Sequence, residues 1–287
     1  MKVLVVGAAG TSAGMVVPEL VARGVEVRGL VHEESKVAIA REGGADETVV
    51  ADINDLDAVR RAADGVDGVF GVIPAFASDE ARIGTNLVRA AEQAGAKKFV
   101  FSSVYHPSLP LTNHTGKQPA ETALYESNLD FTILQPAMFM QQLVAAVRSA
   151  RQQGTVSGPY STQARMSYVD FRDVAEVAAA AFVDDRMAYG TFELAAPGMY
   201  SREDLASLLT TALKRPVAAE SFAVNASPGA LDPSSESLRE GLKAMLTHYD
   251  QYGFHGGNSL ILETLLGRAP RTVEEFLAEQ ISHTRSS

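Results

Sequence analysis

Glycine recurs at short spacing near the start of the chain, in the stretch GAAGTSAG at positions 7–14. Without side chains, Gly7 and Gly10 let the backbone turn tightly and approach a ligand closely. The stretch follows an apolar run, VLVV, and precedes a helical pattern, so a bound pyrophosphate would meet the N-terminus of a helix. In isolation such a motif can be an ordinary glycine-rich turn, but its place at the opening of a βαβ unit favours a dinucleotide site. The cofactor-binding residues predicted here are Gly7, Gly10, Thr11, Ser12 and Ala13.

The end of the second apolar run indicates which dinucleotide is bound. A carboxylate about 20 residues beyond the glycines would hold the ribose of NAD, whereas a basic residue would accommodate the extra phosphate of NADP. His32 stands there, and Lys36 opens the next predicted helix. Both could meet a phosphate, while Glu33 or Glu34 could hold a ribose or face solvent. The sequence favours NADP(H) over NAD(H).

Asp52 directly follows the third predicted strand. Its carboxylate could accept a hydrogen bond from the adenine amino group, or it could cap the helix that follows. The two roles do not exclude each other, and we predict Asp52 as a cofactor contact.

Short β-branched runs alternate with helical stretches through the first half of the chain. Near-continuous apolar runs such as VLVV and FVF are typical of strands covered on both faces of a parallel sheet. The alternation predicts successive βαβ units and an α/β, doubly wound parallel sheet, the Rossmann fold. The predicted strands are KVLVVG, VEVRGLV, ETVVAD, GVFGVIP, KKFVFSS and DFTILQP.

The pattern loosens after about residue 151, where polar residues and glycine become frequent. We predict a dinucleotide-binding domain at residues 1–155 and a smaller, mixed α/β C-terminal lobe at residues 156–287. Residues 166–197 contain one more helix and strand that return to the first domain, which makes the lobe discontinuous.

Two local signals lie within the smaller lobe. Ser201, three residues ahead of Asp204, predicts the N-terminal cap of a helix. Residues 224–237 predict an exposed loop, because proline, serine, aspartate and glycine dominate them.

Composition excludes several classes of function. The 287 residues carry a net charge of −10, which argues against direct nucleic-acid binding, since phosphates need clustered Lys and Arg. The chain has no cysteine, which excludes disulfides and thiolate chemistry, and its histidines have no metal-ligand spacing. No apolar run approaches the roughly 18 to 20 residues of a membrane-spanning helix, so we expect no membrane association and a cytoplasmic location. The oligomeric state does not follow from the sequence.

Six segments, of which the glycine-rich stretch is the first, are together more specific than the glycines alone. They are GAAGTSAG, VRGLVHEESK, AGAKKFVFSS, LDFTILQPAMFMQQ, MSYVDFRDVAEVAAAAF and GFHGGNSLILETLLGRAPRTVEEFL. On these segments the chain resembles, over nearly its whole length, the NmrA-like family of atypical short-chain dehydrogenases/reductases. The resemblance implies a Rossmann lobe for NADP(H), a small C-terminal lobe, and a cleft between them for a small-molecule substrate or a protein partner. Family members include quinone and isoflavone-type reductases, and regulators that sense the redox state of the cofactor.

The resemblance also implies catalytic residues, with one departure. Short-chain reductases place a tyrosine four residues before a lysine, which lowers the pKa of the phenol so that it can protonate the carbonyl receiving hydride. Lys117 is present here, but Asn113 replaces the tyrosine, and an amide cannot act as a general acid. Ser102 and Ser103 end the fifth strand, where related enzymes keep a hydroxyl near the nicotinamide. We predict Lys117 and Ser103 as catalytic, and Ser102 and Lys117 as cofactor contacts.

Each of these residues has a plainer alternative. The serines could satisfy backbone groups at a strand end, and Lys117 could be a solvated surface lysine. Tyr105, His106 and His114 lie nearby in the sequence and could supply a substitute acid. A histidine in a loop is nevertheless more often a surface residue.

A second departure lies at the end of the second strand, where the family often carries an arginine for the 2′-phosphate. His32 takes its place, and neutral imidazole beside two glutamates is a weak phosphate ligand, so dual cofactor preference stays open. Position in the family implies further cofactor contacts after the fourth and sixth strands, each of which could equally be plain packing. These are Ile73, Pro74, Phe76, Pro136, Ala137, Met138 and Phe139.

Two functions follow from the resemblance and its departures. The first is a reductase that transfers hydride from NAD(P)H to a quinone or another conjugated small molecule, where water can supply the proton. The second, suggested by Asn113, is a non-catalytic protein that senses NADP(H) and binds a protein partner. The retained Ser103 and Lys117 favour the reductase.

Overall fold

The computed structural model describes residues 1–77, 79–222 and 236–283. Internal contacts divide the chain into two compact units. The first comprises Met1–Pro136 and Phe171–Glu193, and the second comprises Ala137–Asp170 and Leu194–Ser287. Relative to the boundary predicted at residue 155, these contacts assign residues 137–155 to the second unit.

Strands and helices alternate through most of the described residues. The strands are β1 (Lys2–Val6), β2 (Glu26–Val31), β3 (Glu47–Val50), β4 (Gly68–Val72), β5 (Lys98–Ser102), β6 (Asp130–Pro136), β7 (Met138–Phe139), β8 (Thr155–Gly158), β9 (Met166–Val169), β10 (Gly190–Leu194), β11 (Met199–Tyr200) and β12 (Ala218–Ser221). The helices are α1 (Val16–Val21), α2 (Val37–Glu42), α3 (Leu56–Ala63), α4 (Glu80–Gln93), α5 (Thr112–Thr115), α6 (Gln118–Tyr125), α7 (Leu143–Gln153), α8 (Phe171–Val183), α9 (Arg202–Leu213), α10 (Glu236–Tyr252), α11 (Leu260–Leu266) and α12 (Val273–His283).

The large sheet has the strand order β10-β6-β5-β4-β1-β2-β3. The pairs β1–β2, β1–β4, β2–β3, β4–β5 and β5–β6 are all parallel. The order reverses at β1, where the chain runs outward first through β2 and β3 and then through β4, β5 and β6. Doubly wound sheets bind ligands in the crevice beyond the carboxyl ends of the strands at such a reversal. The predicted Rossmann fold is confirmed.

Both faces of this sheet are covered, as its apolar strands predict. On one face, Leu4, Phe99 and Phe101 are buried in a cluster with residues of α3, α4 and α6. On the other face, α8 packs against α1, β5 and β6 and buries Phe171 and Phe182. Burying one such phenylalanine stabilises the fold by about 2 kcal/mol. The carboxyl edge of the sheet is therefore held by packing on both sides.

The second unit is a mixed α/β lobe, as predicted. In one small sheet, β7 is parallel and β11 antiparallel to β9, and in the other β8 and β12 are parallel. The predicted cap of α9 is confirmed, because Ser201 Oγ accepts the Asp204 N–H at 3.1 Å and Asp204 Oδ2 accepts the Ser201 N–H at 2.9 Å. Of the loop predicted at residues 224–237, the part up to residue 235 lies outside the described residues, and the last two begin α10.

Within residues 1–77, 79–222 and 236–283, none of the helices combines the length and the apolar composition that crossing a membrane requires.

Candidate functional site

The glycine-rich loop leaves β1 and turns sharply over the end of β2. Gly7 has a φ of +74°, in the left-handed region that favours glycine. The N–H groups of Gly7 and Ala8 both donate to the Leu30 carbonyl, at 2.9 and 3.1 Å. A Cβ on Gly10 would lie only 3.1 Å from the Gly7 carbonyl oxygen. Gly7 is thus required by backbone conformation and Gly10 by the close approach of two backbone segments.

The helix after this loop begins as a 3-10 turn, Ala13–Met15, and continues as α1. Ala13 is buried, with its Cβ 3.8 Å from the place that a Cβ on Gly7 would take. Gly10 and Thr11 are exposed. The loop therefore presents exposed backbone at the start of a helix, with no side chain on either glycine. These residues fit a pyrophosphate, whose charge the helix N-terminus would stabilise.

His32 and Lys36 meet at a shared carboxylate just beyond β2. His32 Nε2 lies 3.7 Å and Lys36 Nζ 4.0 Å from Glu33 Oε1, and the His32 side chain is 72% exposed. Ser35 Oγ donates to the same oxygen at 2.7 Å, and this hydrogen bond lowers the pKa of Glu33. The structure thus brings the two predicted phosphate ligands together, with a negative charge between them.

Asp52 forms a local turn after β3. Its Oδ1 accepts the N–H and the side-chain amide of Asn54 at 2.9 and 2.8 Å, which holds the pKa of Asp52 below its usual range. The following helix, α3, is capped by Asp55, whose Oδ1 accepts the Ala58 N–H at 3.1 Å. The capping role considered for Asp52 is therefore wrong, because the turn places Asp55 at the start of the helix. The adenine contact stays a prediction.

Lys117 precedes α6 and forms a buried ion pair with Glu80 at the start of α4. Lys117 is 4% and Glu80 5% exposed. Lys117 Nζ donates to Glu80 Oε2 at 2.6 Å and to the Ile73 carbonyl at 3.0 Å. Burial lowers the pKa of Lys117, and the charge of Glu80 opposes this shift. The alternative of a solvated surface lysine is wrong, whereas the cofactor-ribose role stays a prediction.

Glu80 also holds the loop at residues 73–77, which follows β4. Its Oε1 accepts the N–H of Phe76, a bulky residue with a φ of +60°. Such a conformation is rare for phenylalanine and persists only where surrounding contacts impose it. Ile73 is buried, Pro74 is exposed and Phe76 is partly exposed. One carboxylate therefore fixes both Lys117 and the strained loop.

The two serines after β5 differ in their contacts. Ser103 Oγ donates to Glu121 Oε1 at 2.5 Å, and Gln135 Nε2 donates to the same oxygen at 2.9 Å. Ser102 is 2% exposed, and its hydroxyl has no hydrogen-bond partner among the described residues. A buried hydroxyl in this state carries a desolvation cost, and such groups call for an explanation. The Ser103 hydroxyl bonds a carboxylate and not a backbone group, contrary to the plainer alternative.

Asn113 and the candidate substitute acids lie in and before α5. Asn113 and His114 are buried, and His114 Nδ1 lies 3.0 Å from the His106 carbonyl oxygen. The surface position expected of a loop histidine is therefore wrong for His114. His106 has a φ of +53°, and its Nδ1 lies 3.0 Å from Glu193 Oε1 on β10. Burial raises the pKa of the Tyr105 phenol, whose ring meets that of His106 edge-on.

The carboxyl edge of the parallel sheet gathers most of the predicted site. β5, β4, β1, β2 and β3 are neighbours in that order, and each is followed at this edge by predicted site residues. Pro136 ends β6 at the same edge, and its carbonyl accepts the Tyr105 N–H at 3.0 Å. Ala137, Met138 and Phe139 belong to the second unit, where Met138 and Phe139 form β7.

Four polar residues of the edge escape sequence reasoning, namely Glu80, Glu121, Gln135 and Glu193. One signal was available for Gln135, a lone amide within the apolar strand DFTILQP. Glutamates at helix starts and in amphipathic helices look like ordinary surface residues, so the sequence carried no signal that Glu80 and Glu121 belong to the site.

Curated relatives share moderate sequence identity with the chain. It is 29% identical over 217 residues to the NAD(P)H azoreductase of Xenophilus azovorans, covering 75% of each chain. It is 34% identical over 206 residues to the photosystem II assembly factor Ycf39 of Synechocystis, covering 67% of this chain and 61% of that protein.

Solved structures and a family model agree on the fold. The NADPH-dependent quinone oxidoreductase QOR2 of Escherichia coli, complexed with NADPH, superposes with a TM-score of 0.82 at 22% identity over 99% of this chain and all of the other. The negative transcriptional regulator NmrA, in complex with NADP, superposes with a TM-score of 0.78 at 18% identity, over 100% of this chain and 97% of that one. The model of the NmrA-like family matches residues 1–277. The chain belongs to the NmrA-like family.

Proposed function

We propose that this chain is an NAD(P)H-dependent reductase that transfers hydride to a quinone or a similar conjugated small molecule. The observation that carries the proposal is the glycine loop after β1, next to the β4 loop that Glu80 and Lys117 hold. Similarity to an azoreductase and to a quinone oxidoreductase supports the reaction class. Their acceptors differ, so the proposal names a class of acceptor and no single substrate.

The proposed cofactor is NADP(H) in preference to NAD(H). Gly7 and Gly10 receive the pyrophosphate at the start of the helix. His32 and Lys36 meet the 2′-phosphate, and the Glu33 carboxylate between them makes the preference modest. Asp52 accepts the adenine amino group.

The residues after β4 and β5 position the reacting groups. The ammonium of Lys117 carries three N–H groups, of which two are bound by Glu80 and Ile73, and the third is assigned to the cofactor ribose. Ser102 and Ser103 lie on the nicotinamide side. The bound cofactor supplies the hydride. A reduced quinone can take its proton from water, so the absence of the tyrosine does not prevent this reaction.

Calorimetric titration of the purified chain with NADPH and NADH tests cofactor binding. The better cofactor is then incubated with a panel of quinones and azo dyes while the near-ultraviolet absorbance of the reduced nicotinamide is followed. We expect tighter binding of NADPH and turnover with at least one acceptor. Binding of neither dinucleotide, or binding without turnover on any acceptor, would contradict the proposed reductase.

A second candidate function rests on Asn113, which stands where the proton-donating tyrosine is expected. It is a protein that binds NADP(H) without catalysis and changes its affinity for a protein partner with the cofactor state. Similarity to NmrA and to Ycf39 supports this class. Affinity capture with the immobilised chain, in NADP and NADPH in parallel, distinguishes it: a partner retained with one form only, and no reductase turnover, favours the second function.

A further inference from the structure

The loop after β5 carries an imidazole held by a carboxylate. His106 lies four residues beyond the last residue of β5, and its Nδ1 is 3.0 Å from Glu193 Oε1. The two side chains are 33% and 45% exposed. A carboxylate that accepts the Nδ1 proton fixes the ring orientation and leaves proton exchange to Nε2. This is the arrangement in which an imidazole acts as an acid or a base.

The backbone around His106 is also fixed. Its φ of +53° lies in the left-handed region, which a non-glycine residue occupies at a cost unless contacts impose it. His114 of α5 donates its Nδ1 proton to the His106 carbonyl at 3.0 Å. The titratable groups seen at this residue include Glu193 of β10, which contacts the imidazole, Tyr105, whose ring centroid lies 4.1 Å from that of the imidazole, and His114 of α5, which contacts the backbone carbonyl.

The other proton donors after β4 and β5 are less suited to protonate a substrate. Ser103 donates its hydroxyl proton to Glu121, and the Lys117 ammonium is bound by Glu80 and the Ile73 carbonyl. Tyr105 is buried, and its pKa is raised, which makes the phenol a weaker acid. His106 alone among these residues combines partial exposure with an orienting carboxylate.

We propose that His106, oriented by Glu193, is the general acid that takes the place of the missing tyrosine. This inference rests on the proposed reductase function. Hydride addition to a quinone, which the reduced nicotinamide would supply with loss of its C–H bond, builds up negative charge on the quinone oxygen. As this charge develops, the Nε2–H bond of the His106 imidazolium breaks, its proton adds to the oxygen, and the hydroquinone forms. The neutral imidazole left behind keeps its Nδ1 proton hydrogen-bonded to Glu193 and takes up a new Nε2 proton from the solvent.

Two kinds of acceptor separate an acid from a merely structural residue. A quinone needs hydride and a proton, whereas a cationic triarylmethane dye takes hydride at its central carbon and needs no proton. We expect His106→Ala to lower kcat with a quinone on the order of 10²-fold, the usual contribution of a general acid. With the dye we expect kcat to stay within about twofold, since no proton transfer contributes there. Imidazole added to the buffer should restore part of the lost quinone turnover.

Glu193→Gln and a matched histidine variant complete the experiment. Nitrogen NMR of the neutral His106 ring should show the proton on Nδ1 in the wild type and a mixture of the two tautomers in Glu193→Gln. This measurement does not depend on activity. His248→Ala, on α10, should leave quinone turnover unchanged. Calorimetry of NADPH binding and thermal unfolding establish that each variant is folded.

The outcomes separate the two proposals. A wild-type chain that reduces no quinone contradicts the reductase function and this inference with it. Quinone turnover that is unchanged in His106→Ala contradicts the inference alone. Equal losses of kcat with quinone and dye in His106→Ala also contradict the inference, as does a loss of quinone turnover that added imidazole does not restore. If the wild type does not reduce the dye, the imidazole experiment alone decides the inference.

Discussion

The ammonium of Lys117 depends on a single carboxylate inside the first unit. Removing one partner of a buried ion pair leaves an uncompensated charge in a medium that solvates it poorly. We expect Glu80→Gln to lower the free energy of unfolding by about 3 kcal/mol, measured by urea denaturation. The variant also loses a charged acceptor for the Phe76 N–H, so the loop at residues 73–77 should become more susceptible to proteolysis.

An exposed pair provides the control for this prediction. Glu19 and Arg23 form an i,i+4 ion pair on α1 and its end, with side chains 37% and 25% exposed. Glu19→Gln should change the free energy of unfolding by less than about 0.5 kcal/mol. The double variant Glu80→Gln/Lys117→Met should be more stable than Glu80→Gln alone, because no unpaired charge remains. Equal stability of Glu80→Gln and the wild type would show that the pair is not buried in solution.

The carboxylate of Glu33 lies beside both residues assigned to the 2′-phosphate, His32 and Lys36. Its charge would repel that phosphate, and solvent and salt weaken this repulsion because the groups are exposed. We expect Glu33→Gln to tighten NADPH binding by up to about fivefold at low salt and to leave NADH binding unchanged. Calorimetry at two ionic strengths measures both effects. Glu34→Gln removes the same charge one residue further on, and an equal gain in that variant would contradict the role given to Glu33.

For individual residues, the sequence identified candidate site residues but not the side chains with which they pair. Lys117 and Glu80 are 37 positions apart, and His106 and Glu193 are 87 apart. Local spacing carries no information on such pairs, because packing of different elements creates them. The burial of Lys117 could not be predicted without its partner Glu80, and Glu80 looks in the sequence like an ordinary residue in the first turn of a helix.

Among the elements, the loop between β1 and α1 is the most directly testable. Gly7 has a φ of +74° and Gly24, after α1, a φ of +72°, so alanine is strained equally at both positions. We expect both substitutions to lower the free energy of unfolding by about 1 to 2 kcal/mol. Only Gly7→Ala should weaken dinucleotide binding, and it should weaken NADPH and NADH alike, because the pyrophosphate is common to both. Calorimetry of dinucleotide binding on the two variants checks this. Equal dinucleotide affinities of Gly7→Ala and Gly24→Ala would argue against the loop as the binding site.

The cap of α9 gives a prediction about pH. The Ser201 N–H lowers the pKa of Asp204. A depressed pKa in the folded state means that the carboxylate stabilises the fold above the ordinary aspartate range, and that this stabilisation is lost as the pH falls through the folded value. Asp204→Ala should therefore cost about 0.5 to 1 kcal/mol at neutral pH, a small figure because the side chain is 40% exposed.

Urea denaturation at neutral pH and at about pH 3 measures this difference. The gap between the wild type and Asp204→Ala should shrink in acid. The control is Asp57→Ala, which changes an exposed first-turn residue of α3. Its free energy of unfolding at neutral pH should differ less from that of the wild type. A gap that is constant or grows in acid would contradict the role of the carboxylate.

The sequence predicted these elements well wherever the periodicity of apolar residues agrees with the capping and turn residues at the ends of the element. β1, β4, β5 and β6 read as apolar runs because both faces of the sheet are covered there, and Ser201 and Asp204 predict a cap from their spacing alone. Asp52 was misread as a possible cap, since a turn of unknown length decides whether Asp52 or Asp55 starts α3.

At the scale of the whole molecule, the doubly wound topology follows from the alternation of strands and helices, whereas the division into units does not. The composition changes near residue 151, but the contacts change at residue 137, directly after β6. Strand content alone does not reveal with which unit a segment packs. In the structure, α8 and most of β10 belong to the first unit.

This return of the chain to the first unit has a consequence for synthesis on the ribosome. The first unit is interrupted after Pro136 and resumes only at Phe171, and its sheet gains β10 beside β6 only once residues 190–194 have emerged. Until then β6 is an unpaired edge, and the face that Phe171 and Phe182 cover in the finished fold is open to water. Domains generally fold from the N-terminus as they are made. Here the first unit cannot finish folding before residues 137–170 have been translated, and β6 remains an open sheet edge during that time.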